Sequence, residues 1–135
     1  MSGYSGTPLA KKLSLKAGMR VWWDSMPATV FDEIRGAGLA LDLLGEAEAP
    51  IAAAHIFVTE RAKLEAELHH LMPMLEPSGF IWVSWPKKAS KLSTDITEDV
   101  IREVALPMHL VDVKVCSVDH IWSGLKLVIR KEYRG

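Results

Sequence analysis

The stretch Phe80-Ile81-Trp82-Val83-Ser84-Trp85-Pro86-Lys87-Lys88 decides how this chain is read. Six largely apolar residues run from Phe80 to Trp85, framed by Pro77-Ser78-Gly79 before and Pro86 after. A short continuous run of this kind fits a strand covered on both faces, as in the middle of a parallel sheet. It then opens onto two lysines and a polar loop over residues 89–94. Open α/β sheets bind ligands beyond the carboxyl ends of such strands. The sequence therefore says where a site belongs before it says what the site does.

Flanking segments supply the rest of an α/β pattern. Residues 1–7 are rich in Gly and Ser and are expected to be loosely docked. Pro8–Leu15 reads as a short helix with Leu9, Ala10 and Leu13 inward. Met19–Asp24 has strand content, and Ala28–Arg35 is a helix with Val30, Phe31 and Ile34 on one side, ended by the glycines at 36 and 38. Leu39–Leu44 is a second strand, Gly45–Ala52 a connection and Ala54–Thr59 a third strand. Leu64, Leu68, Leu71 and Leu75 mark an amphipathic helix that Pro73 is expected to end or distort. A further helix is expected over 96–106, with Asp95 and Glu98 at the spacing of a helix cap. The closing segments, Val111–Val118 and Leu125–Arg130, alternate with period two and predict an antiparallel hairpin.

Composition sets the bounds. At 135 residues the chain is expected to be one domain, 1–135, with residues 1–16 as an N-terminal extension. A 49% hydrophobic share with 24% charged residues is that of a globular protein. The net charge of −1 gives no general drive toward nucleic acid or membranes, so neither is expected as a partner. The single cysteine, Cys116, the lack of a basic–apolar leader and the lack of a spanning stretch suggest a soluble, cytoplasmic protein.

The order of elements resembles the class I methyltransferase-like Rossmann fold. Leu75-Glu76-Pro77-Ser78-Gly79-Phe80-Ile81-Trp82-Val83 looks like the leucine, Pro-Gly and apolar-strand passage of those enzymes, and the closing hairpin matches as well. The resemblance implies a three-layer mixed sheet of order 2-1-3-4-6-5, with one crossover unit missing between Leu44 and Ala54. More closely, the chain resembles a bacterial family of domains of unknown function. The phrases that carry this are Pro8-Leu9-Ala10-Lys11-Lys12-Leu13, Trp82–Ala89, Val111–Cys116 and Trp122–Lys126. That family implies a fold and no activity.

The methyltransferase resemblance implies an acidic-Gly-x-Gly-x-Gly loop after the first strand, where backbone approaches S-adenosylmethionine. Asp24 stands at the acidic position, but Asp24-Ser25-Met26-Pro27-Ala28-Thr29 contains no glycine. Asp24, Ser25 and Asp42 are the residues such a cofactor would meet, and the missing glycines argue for no cofactor at all. The stronger candidates for a ligand or anion site are Ser84, Trp85, Lys87, Lys88, Ser90 and Trp122. Two ammonium groups beside hydroxyls hold a phosphate or carboxylate by charge-assisted bonds, and tryptophan supplies an apolar wall. Metal binding is not expected, since adjacent His69 and His70 diverge on a helix and His55 lies in an apolar strand. Cys116 sits in a strand, Ser84 lacks a nucleophile elbow, and no triad assembles.

The expected function is thus binding or regulation on a degenerate methyltransferase-like fold, through an unidentified protein or a small anionic ligand. The alternative is an enzyme or sensor for a nucleotide-like or other anionic molecule at the strand ends. A transferase would need a non-standard cofactor loop. The missing crossover unit uncovers surface, which makes a homodimer compatible with the sequence.

Overall fold

The computed structural model describes residues 7–134, so the expectation for the Gly/Ser-rich start falls almost wholly outside them. The chain runs α1 (Leu9–Lys12), β1 (Arg20–Asp24), α2 (Ala28–Arg35), β2 (Asp42–Leu43), β3 (Ile51–Phe57), α3 (Arg61–Leu71), β4 (Leu75–Pro86), α4 (Glu98–Ala105), β5 (Leu110–Ser117) and β6 (Trp122–Ile129). Six strands form one sheet in the order β2-β1-β3-β4-β6-β5. β2, β1, β3 and β4 are mutually parallel, while β6 is antiparallel to both β4 and β5. This is the mixed methyltransferase-like sheet anticipated from the sequence.

Alternation along the strands sorts the core into two layers. Ile81, Val83 and Trp85 of β4 join Leu64, Leu68 and Leu71 of α3 and Ile101 and Val104 of α4. Phe80 and Trp82 point the other way, to Leu9 of α1 and Val30 and Ile34 of α2. β4 is thus covered on both faces, and no residue from Phe80 to Trp85 is more than 8% exposed. Each large side chain buried there stabilises the fold by about 1.5–3 kcal/mol.

Four local expectations are corrected. β3 starts at Ile51 and ends at Phe57, earlier at both ends than expected. Ala53 and Ala54 carry little strand propensity, yet they are paired with both neighbours and buried between β1 and β4, while the register shifts at Ala52. Leu75 is the first residue of β4 rather than the last of a helix, because Met72–Met74 forms a 3₁₀ turn around Pro73. β2 shrinks to two residues. Asp95 does not cap α4: Thr97 does, its hydroxyl accepting from the Val100 amide at 3.2 Å. Asp95 instead accepts from the Arg61 amide at 2.7 Å and so closes the start of α3.

Candidate functional site

The end of β1 is where the fold would approach a cofactor. Asp24 closes the strand, Ser25 takes a left-handed conformation at φ 59°, and Pro27 precedes α2 without an amide hydrogen to offer. The Asp24 carboxylate turns toward α3. Lys63 Nζ stands 3.6 Å from its Oδ2, and Lys63 also reaches Ser25 Oγ at 3.4 Å. Burial, then a shared hydrogen bond with Asp24 and its negative charge, raise the Glu67 carboxyl to about 7, against the pull of Lys63. Asp24 Oδ2 is buried and has no hydrogen-bond partner among the described residues.

A raised folded-state pKa has a definite sign. Glu67 contributes stability fully below its ordinary 4.5, and that contribution is lost as pH rises through about 7. Glu67→Gln is expected to raise the melting temperature at pH 8 and to change it less at pH 5. Equal shifts at both values would show that the fold does not raise the Glu67 carboxyl.

Asp42, expected near a cofactor ribose, is elsewhere. The parallel register sets it opposite Arg20 at the start of β1, with Asp24 four residues further along. At about 3.3 Å per residue that is roughly 13 Å from the strand end. Its carboxylate lies 3.6 Å from Arg20.

The β4 exit holds the other candidates, and the structure divides them between two faces. Ser84 is fully buried, with its Oγ 2.7 Å from His55 Nε2, so it is closed to any external ligand. Trp85 packs into the α3/α4 layer. Trp122 lies on the opposite layer, edge-on to Phe57 at 5.1 Å between ring centres. The two tryptophans do not build one wall, because Trp122 pairs with Pro86 and its side chain leaves the sheet on the other side. Ser90 closes its own turn, donating to the Lys87 carbonyl at 2.7 Å and accepting from the Leu92 amide.

Lys87 and Lys88 also part. Lys88 opens an exposed 3₁₀ turn and lines a 670 Å³ cleft on the α4 side with Trp85, Lys91, Thr97 and Arg102. Lys87 lines that cleft too, but its Nζ donates to Ser117 Oγ, 2.6 Å away at the end of β5. Its backbone amide donates to the Ile121 carbonyl at 2.8 Å, fastening the β4 exit to the hairpin turn.

The structure adds residues that the sequence reading did not single out. Lys12, at the end of α1, donates to the carbonyl of the same Ser117 at 2.7 Å. Two ammonium groups 75 residues apart in the sequence thus converge on one serine. They stand at a 660 Å³ cleft whose other lining includes Thr29, Glu33, Asp119 and His120. Among the described residues neither lysine has a carboxylate within ion-pairing distance, whereas Arg20, Arg61, Lys63 and Arg102 all do. Asp119 is already engaged, its Oδ1 accepting from the amides of Ile121 and Trp122 at 2.8 Å each. Burial pushes the Cys116 thiol up, while Lys12, Lys114 and Lys87 act against that shift, which places all three charges around one strand end.

Lys12 comes from the stretch Pro8–Leu13 and Lys87 from Trp82–Ala89, two segments far apart in the chain that the fold brings to one cleft. Among the described residues no group of three His, Cys, Asp or Glu is placed to hold a metal ion, and no helix is long and apolar enough to cross a membrane.

Comparison with known proteins supports the fold. No family model and no curated protein matches the chain. Among solved structures, it is similar to a ribosomal protein L11 methylase from Lactobacillus delbrueckii, with a TM-score of 0.59 at 8% identity over 90% of this chain and 75% of that one. Magnesium protoporphyrin IX methyltransferase from Synechocystis, solved with bound S-adenosylmethionine, gives 0.56 at 9% identity over 89% and 74%. A putative methyltransferase from Thermoplasma acidophilum gives 0.56 at 7% over 96% and 76%. At these identities the likeness is one of architecture.

Proposed function

We propose that this chain is a small binding protein on a methyltransferase-like scaffold, and that its ligand is an anionic small molecule held by Lys12 and Lys87 above Ser117. The observation that carries the reading is the convergence of two lysines without carboxylate partners on one serine, at 2.7 and 2.6 Å, beside a 660 Å³ cleft. Charge-assisted hydrogen bonds from ammonium groups suit phosphate or carboxylate oxygens. The reading assigns no bond-breaking step. Asp119 accepts from two backbone amides through Oδ1, and among the described residues no hydrogen bond joins it to His120.

Titration calorimetry with inorganic phosphate, citrate and adenosine monophosphate tests it. The wild type is expected to bind at least one of them. Lys12→Ala combined with Lys87→Ala removes two charged donors, worth about 1.5–3 kcal/mol each, so affinity should fall about 100-fold or more. Unchanged affinity in the double variant would move the site elsewhere.

A second reading, binding of S-adenosylmethionine, is favoured by fold neighbours solved with that cofactor or with SAH. The residues of this chain do not fit the usual cradle. Ser25 and Pro27 stand where glycines would let backbone approach, and Asp24 is turned to Lys63 and Glu67. Thermal stabilisation by S-adenosylmethionine that survives the double lysine change but is lost in Asp24→Asn would establish this second reading.

A further inference from the structure

The lysines do not stop at the cleft. Lys114 Nζ donates to the Lys12 carbonyl at 3.0 Å, and Lys126 Nζ donates to Ser14 Oγ at 3.1 Å, so both lie on the α1 side of the sheet. Lys114 and Lys126 are directly opposite each other in the β5–β6 ladder. Like charges opposite one another on neighbouring strands destabilise a sheet, and among the described residues neither has a carboxylate within ion-pairing distance. Burial, followed by the charges of Lys114 and Lys16, lowers the affinity of Lys126 for a proton. Its ammonium also rests 4.4 Å from the centre of the Phe80 ring. A register shift in β5 between Asp112 and Lys114 puts Lys114 on this face while Asp112 faces α4 and pairs with Arg102 at 3.0 Å. The irregular strand thus separates the acid from the base and leaves one face positive.

From the Lys114–Lys126 pair to Ser117 is three residues along β5, about 10 Å at the rise of a strand. A single phosphate cannot touch both ends of that distance. We infer that the site takes a linear chain of phosphates, as in an oligophosphate or the phosphate tail of a nucleotide. One end sits between Lys12 and Lys87, and the chain runs along β5 toward Lys114 and Lys126. The inference rests on the anion-binding reading above and adds to it the ligand's length and charge.

The test measures affinity of the full chain for monophosphate, pyrophosphate, tripolyphosphate and a longer linear polyphosphate at one low salt concentration. Affinity is expected to rise about tenfold or more from the first to the last, as further charge-assisted bonds form. Lys114→Gln, an exposed position, should remove most of that gain, lowering affinity for the longer chains far more than for monophosphate. Lys126→Gln should do the same where circular dichroism shows it folded. Lys88→Gln, on the opposite cleft, should keep the gain. Adenosine triphosphate beside tripolyphosphate separates the two sources. Equal affinity assigns recognition to the phosphates alone, and tighter nucleotide binding adds a contact to the base. Equal affinity for all chain lengths, with monophosphate still bound, overturns this inference and leaves the anion site standing. A length gain that survives in Lys114→Gln also overturns it. Absence of binding by every phosphate compound removes both.

Discussion

Trp82→Ala is expected to lower stability by about 3–5 kcal/mol, the range for truncating a buried aromatic. The side chain is 1% exposed at the centre of β4, and its Nε1 donates to the Leu13 carbonyl at 2.9 Å. That bond joins residues 69 apart and holds the α1 segment against the sheet. Trp82→Phe is the more telling change. It keeps most of the packing but leaves the Leu13 carbonyl without its donor, at a cost of about 1–3 kcal/mol. Because Lys12 is the neighbour of Leu13, the Phe variant should also bind phosphate more weakly. Its amides over residues 9–14 should exchange hydrogen faster. Wild-type affinity and unchanged exchange in Trp82→Phe would show that α1 is held by burial alone.

Acid sensitivity centred on His55 is the second large effect. The ring is buried on β3, stacked on Phe57 at 4.4 Å, with Nε2 bonded to Ser84 and Nδ1 unpartnered. Burial lowers its pKa from 6.5 to about 3. The folded value lies below the unfolded one, so the unfolded chain takes up the proton first. Stability is therefore complete above about 6.5 and is lost as pH falls from there toward 3. At pH 5 the loss is about 2 kcal/mol, one and a half units at roughly 1.36 kcal/mol each. Glu67 acts in the opposite sense, stabilising as pH falls, so the two are separated by variant. Urea denaturation at pH 7.5 and pH 5 should show the loss in the wild type and most of it gone in His55→Gln. An equal loss in both proteins would assign the acid limb to other groups.

What the sequence made legible follows from how local each signal is. The β4 run and the period-two hairpin are visible because burial on two faces, or on one, writes itself directly into neighbouring residues. The start of β3 is hidden from a local reading because alanines between two strands are buried by partners distant in the sequence. Asp95 looked like the cap of the helix that follows it and instead caps α3, another case of a partner distant in sequence. The site shows the same limit. Lys87 stood out from its position after a central strand, yet its companion Lys12 and their shared Ser117 are joined only by the fold. Ser84 lies three residues before Lys87 and Trp122 faces Pro86 across the ladder, yet side-chain alternation sends the first inward and the second across the sheet.

The bonds from Lys12 and Lys87 to Ser117 have a consequence for selectivity. Each ammonium carries three N–H donors and gives one to the serine, so both charges are held in place with donors left over. On the proposed anion-binding reading, Ser117 is a spacer that sets the separation of the two ammonium groups before a ligand arrives. Ligands are then sorted by the spacing of their anionic oxygens as well as by their charge.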